Sequence, residues 1–264
     1  MKASRTTVIT TPGRAIGAGA PGGVSGGWQA GGRRVAGGWQ AGGRRVAGGW
    51  QGRRVELDEV LRRRRAVRRF TGEPVDRAVL DAVVAAGVSG PTAGGSRGRS
   101  LLVLTDPADR DRFWRATSDD VDSPDAWLAG MTTAPVVVVC LADPGAYVER
   151  YSRPDKERAR GDLGPDPADA SAWPVPWWDV DAGASGLLVL LAAVDAGLGG
   201  CLVGVPDRRW AAVREAFGVP DGQRLTAAVV LGHPAADLPR ARRRAPVGAV
   251  VHDGAHGRPW VPGA

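Results

Sequence analysis

Apolar residues recur at helical spacing over Leu57, Val60 and Leu61, with arginines on the remaining faces. They do so again through VDRAVLDAVVAAG (Val75 to Gly87), an amphipathic stretch closed by a glycine. Two short runs, Ser100 to Thr105 and Ala134 to Leu141, read as strands, and the second is apolar enough to be buried on both faces. Further on, the pattern predicts a buried helix over Asp181 to Ala196, a strand over Gly200 to Val205, a helix over Trp210 to Phe217 and a buried strand over Thr226 to Leu231. Between these lie a turn around Pro74, a loop GPTAGGSRG (Gly90 to Gly98), and a charged, proline-punctuated excursion from Tyr147 to Ala172, expected to be partly mobile. Helices and strands mixed in irregular order predict an α+β domain. The most apolar window, Gly186 to Pro206, is long enough to raise a membrane span, but Asp195, Gly197, Gly199, Gly200 and Gly204 interrupt it. A buried helix followed by a strand accounts for it better, and no membrane association is expected.

Residues 1 to 55 follow no such pattern. GGWQAGGRRVA occurs at Gly26 and again at Gly37, and a shortened GGWQGRRV begins at Gly48. Each unit offers one Trp and one Val among its glycines, too little burial to offset the entropy of ordering the backbone. The arm 1-55 is therefore predicted to be disordered, and 56-264 to form the folded domain. Copies this similar point to recent duplication, and Val55 is a candidate start through a valine codon.

Charge sharpens this division. Of the 35 Lys and Arg, nine lie in residues 1 to 55, which carry no acidic residue. The remainder holds 26 basic against 28 acidic residues, so the net charge of +7 belongs wholly to the arm. The domain has no global attraction for nucleic acid, whereas the Arg/Trp/Gly arm suits single-stranded nucleic acid or an acidic partner on composition alone. Cys140 and Cys201 sit apart in apolar runs and read as buried thiols of a reducing compartment, while His252 and His256 fall in a glycine-rich tail. With no apolar core before a cleavage site near residue 1, a cytoplasmic location is expected.

Chemistry concentrates in arginines. Arg64, Arg65 and Arg68 follow the first helix, and Arg242, Arg243 and Arg244 follow the last buried strand. Two guanidinium clusters far apart in the chain suit one phosphate, because forked donors make charge-assisted hydrogen bonds of roughly 1.5–3 kcal/mol each. Each run alone reads equally well as a solvated face. His233, just after the strand, is a turn residue or a phosphate contact.

In wording and order these segments resemble the signatures of the nitroreductase family, FMN-dependent oxidoreductases. Arg64-Arg65-Ala66-Val67-Arg68 is similar to the family's Arg-x-Ser-x-Arg, with Ala66 in place of the serine, and Arg242 and Arg244 are similar to its closing basic pair. The resemblance makes them FMN phosphate and ribityl partners. GPTAGGSRG resembles the loop that relatives supply from the partner subunit to cover the flavin ring. Pro91, Thr92 and Ala93 match, Gly95 replaces an asparagine, and Arg97 replaces a glutamine and would bring positive charge to the flavin pyrimidine edge. VLLAAVDAGLGGCLVGVP (Val189 to Pro206) resembles the segment whose backbone reaches flavin N5, at Val203 and Gly204. Trp177 and Trp178 fit either stacking on a planar ligand or dimer-interface core.

The resemblance implies a mixed sheet flanked by helices, an intertwined homodimer, FMN as cofactor and NAD(P)H as donor. It also implies a small-molecule acceptor such as a nitroaromatic or quinone, reduced by ping-pong transfer with no side chain acting as acid or base. A specialised or low-turnover flavin-binding protein of the same fold is the alternative within the family, and arm-driven nucleic-acid or acidic-partner binding is the alternative outside it.

Overall fold

The computed structural model describes residues 56–238 and 245–263. The arm 1-55 and the second arginine cluster, Arg242 and Arg244 included, lie outside the described residues. In chain order come α1 (Leu57–Arg63), α2 (Arg77–Gly87), β1 (Arg99–Leu104), α3 (Pro107–Thr117), α4 (Ala126–Met131), β2 (Val136–Ala142), α5 (Pro144–Tyr151), α6 (Glu157–Arg160), α7 (Trp177–Asp195), β3 (Gly199–Val203), α8 (Trp210–Phe217) and β4 (Arg224–Gly232).

The four strands pair in the order β1-β2-β4-β3, each pair antiparallel. The parallel component of the sheet is a single bridge outside the strands, Ala66 with Gly200 on the β3 edge. All seven residues of β2 are buried, as expected of an interior strand covered on both faces. Alternation divides the core accordingly. Val136, Val138, Cys140, Val229 and Leu231 face α2, α5 and α7, whereas Val137, Val139, Ala228 and Val230 pack with Phe113, Trp114, Met131 and Val213 of α3, α4 and α8. The result is an α+β sandwich with helices on both faces of the sheet.

Among the described residues α7 is the one helix long and apolar enough to cross a bilayer. Trp178, Ala182, Val189, Leu190 and Ala193 are buried inside the protein, so it is the central core helix. It ends in a Schellman motif: Gly197 (φ +80) donates to the Val194 carbonyl at 3.1 Å and Leu198 to that of Ala193 at 2.8 Å. That turn reverses the chain into β3.

Four helices, α3 to α6, had no counterpart in the hydrophobic pattern. α3 buries only Phe113 and Trp114, and its start is set by Asp106, whose carboxylate accepts the Ala108 N–H, followed by Pro107 in the first turn. Asp125 and Asp143 cap α4 and α5 likewise. The excursion after Tyr147 contains the end of α5, α6 and two 3₁₀ turns, with Leu163 buried and Arg150 paired to Asp155, and Trp173 is buried just past it.

Candidate functional site

Beyond α1 the backbone turns from helical to extended at Arg64 (φ −55, ψ 118). The Val67 N–H then donates to the Gly200 carbonyl at 2.9 Å, and Phe70 bridges Pro234 while the Thr71 N–H reaches the His233 carbonyl at 2.9 Å. Residues 66–71 therefore run between the β3 edge and the chain leaving β4. Val67 is buried against Gly199, where a Cβ would come within 2.7 Å of it, and this close approach requires glycine. Ala66 and Arg68 face outward, and Arg64 and Arg65 are half-buried. His233 takes part through its carbonyl, as a turn residue does.

Arg68 also meets the Cys201 thiol. Burial raises the thiol's pKa, and the guanidinium partly offsets that rise. Below this segment a cavity of about 280 Å³ is lined by Arg63, Arg65, Val67, Leu198, Pro234 and Leu238, among others. The chain entering the second arginine cluster thus passes the first one at Leu238.

Val203 closes β3 and Gly204 follows it, exposed, with open space on the side a Cβ would fill. The Ala66–Gly200 bridge puts this glycine-rich exit and the arginine segment on one sheet edge. Two of the four matching segments are thereby brought together within one chain.

The loop of Gly90 to Gly98 is built elsewhere. Ala93–Gly95 form a 3₁₀ turn in which Gly94 (φ +64) and Gly95 (φ +71) are left-handed. Gly94 lies on the Tyr151 ring, whereas Gly95 has open space around it. Asparagine and glycine are the residues that best tolerate the left-handed region, so the exchange at Gly95 keeps the turn and removes only the amide. Buried Asp181 on α7 accepts the Ala93 N–H at 2.8 Å and the Tyr147 hydroxyl at 2.7 Å. Burial and this carboxylate push the Tyr147 pKa up. Arg150 donates to the Gly94 carbonyl at 2.8 Å, and Arg99 to those of Val88, Gly90 and Pro91 at 2.7, 2.5 and 3.2 Å. Pro91 and Arg97 are exposed, Thr92 and Ala93 half-buried.

Asp181, Tyr147, Arg99 and Arg150 escaped the sequence reading. One signal was available: an aspartate on the first turns of the most apolar helix needs a buried partner.

Within one chain the loop does not reach Arg64, Arg65 or Arg68. It leads into β1, across the sheet from β3, a separation of about 14 Å over three strand spacings. It is also tied to Asp181 near one end of α7, while Val194 near the other end lines the arginine cavity, about 20 Å along the helix axis. Trp178 is buried in the core of its own chain, tilted on Trp173 at 5.5 Å, whereas Trp177 is 39% exposed. His252 and His256 lie 4.5 Å apart in a terminal hairpin closed by the His252–Pro259 bridge.

A helix-flanked sheet of this order, with an arginine segment bridged to the glycine-led start of its edge strand, defines an α+β domain of the nitroreductase fold. Residues 61–233 match the model of the Nitroreductase family, and the chain belongs to that family. Solved structures share the fold. Nitroreductase A from Vibrio parahaemolyticus is 24% identical with a TM-score of 0.58, covering 76% of this chain and 75% of its own. The hypothetical oxidoreductase YcnD from Bacillus subtilis is 22% identical (TM-score 0.60; 76% and 74%). An FMN-dependent nitroreductase from Clostridium difficile is 18% identical (TM-score 0.53; 74% and 98%).

Proposed function

We propose that this chain is an FMN-dependent NAD(P)H oxidoreductase acting as a homodimer in the cytoplasm. The observation that supports the reading is the Ala66–Gly200 bridge, which joins the arginine segment to β3, the strand that leads into the open main chain of Gly204. The residues fit the group. Arg64 and Arg68 offer guanidinium donors to a phosphate, and Gly204 and Gly95 each leave space on the side a Cβ would fill, which suits a flat ring against backbone. Arg64, Arg65, Ala66 and Arg68, with Arg242 and Arg244, would hold the phosphate and ribityl chain, and the Val203–Gly204 backbone would meet the ring. When bound, FMN supplies the redox chemistry, accepting hydride at N5 from NAD(P)H and reducing a planar acceptor such as a nitroaromatic or quinone.

The remaining work of the protein is placement. Because the loop of Pro91 to Arg97 lies far from Arg64, Arg65 and Arg68 of its own chain, a second copy would bring it over the ring. Asp181 and Arg150 hold the loop's main chain, leaving Arg97 to present a positive charge. The exchanges at Ala66 and Gly95 remove a hydroxyl and an amide, which favours a specialised, slower member of the family as the second reading.

Purification without added flavin, followed by a visible spectrum and identification of any released chromophore, tests both. Bound FMN with steady NAD(P)H consumption on a quinone is the expected result. Bound FMN without turnover favours the second reading, and a protein that refuses added FMN contradicts both.

A further inference from the structure

Trp210 opens α8 where the chain leaves β3. Its indole N–H donates to the Val205 carbonyl at 2.9 Å. Two guanidinium groups flank the ring, Arg224 at 4.9 Å and Arg214 at 5.6 Å from its centroid. Both are themselves held. Arg224 grips the Asp179 carboxylate through Nε at 3.1 Å and Nη2 at 2.9 Å, and the same carboxylate accepts the Thr226 hydroxyl at 3.0 Å. Arg214 donates to the Gln223 carbonyl at 2.5 Å. The first turn of α7, the start of β4 and α8 therefore fix one indole, and the indole fixes one carbonyl.

That carbonyl matters because of what precedes it. Gly204 lies past the last ladder pair, Val203 with Ala228, and has no side chain to hold it. On its far side Val205 is followed by Pro206, which lacks an N–H and narrows the conformations open to Val205. The buried Val205 side chain anchors the residue, and the indole donor fixes the direction of its carbonyl, so loss of that donor would loosen the glycine's main chain.

We propose that Trp210 is a positioning residue of the flavin site: its clamped N–H holds the Val205 carbonyl and so sets the direction of the Gly204 main chain. The site itself is the FMN reading given above, and the clamp can be tested apart from it. Trp210→Phe keeps an aromatic ring beside the guanidinium groups and deletes the donor. In the FMN-free full-length chain, amide hydrogen exchange over residues 199–206 is expected to rise about fivefold to tenfold, the equivalent of one net hydrogen bond. In the FMN-loaded chain, the oxidised-to-reduced equilibrium of the bound cofactor is expected to move about tenfold, or about 30 mV for a two-electron couple. FMN affinity should change less than threefold, since arginines anchor the phosphate.

Unchanged exchange and unchanged potential in Trp210→Phe, whatever its melting temperature, would reduce Trp210 to core packing and overturn the proposal. If Trp210→Phe does not fold, Arg224→Gln tests the same clamp, since it frees one face of the ring and keeps the N–H. Faster exchange over 199–206 then supports the proposal, and unchanged exchange overturns it. Faster exchange in a chain that binds no FMN refutes the flavin reading, and with it the site role, while establishing the clamp.

Discussion

Cys140 stands among valines on the interior strand β2, and burial pushes its thiol from 9.0 up to about 12. The folded value lies above the unfolded one, so the native state keeps its proton where the unfolded chain releases it. This contribution is fully present below about pH 9 and is lost as pH rises toward 12, at up to about 1.4 kcal/mol per pH unit. Cys140→Ala should flatten the fall in the urea midpoint between pH 9 and 11, even though it lowers stability at neutral pH. Identical slopes in the two proteins would mean that other groups, such as Tyr147, carry the alkaline loss. At this scale the charged residues were legible and the buried polar ones were not. Arg64 and Arg68 announce themselves by type and spacing. Asp181 resembles any helical aspartate until the fold sets Tyr147 and Ala93 against its carboxylate.

The junction of α7 and β3 was readable as an element, because the apolar run, the glycines and the strand follow in order along the chain. Gly197 ends the helix in the left-handed region although a Cβ there would meet no neighbour, so its requirement is purely conformational. Gly197→Ala is expected to cost about 1–2 kcal/mol, the usual penalty of that region for an L-residue. A urea titration checks this, and an unchanged midpoint would mean that the turn relaxes to another form. α3 and α5 were missed for the opposite reason. Their apolar stripes are thin, and the signal sits in the caps, Asp106-Pro107 and Asp143-Pro144, which satisfy the first free N–H groups.

For the whole molecule, the separation of the two proposed halves of the site has a direct consequence. If a second copy supplies the loop, Arg64→Ala and Gly95→Glu each damage both sites of their own homodimers, but different halves. A mixed dimer of the two variants then has one site with both defects and one with none. The mixed dimer, separated from the two homodimers after co-expression, should hold about one FMN where each variant alone retains little. No recovery in the mixed dimer would place both halves in one chain.

Local chemistry was enough to determine much of this protein. Periodicity marked the buried helix and strands, arginine spacing marked a candidate anion site, and glycines marked where backbone must turn or lie open, because each effect acts within a few residues. Only the tertiary structure decided that the sheet is antiparallel with one parallel bridge at Ala66. It also decided that Asp181 ties the loop to α7, that Trp210 holds the β3 exit, and that the loop lies far from Arg64 and Arg68. Those facts depend on contacts between residues remote in the chain, and neither propensity nor spacing records which distant partners will meet.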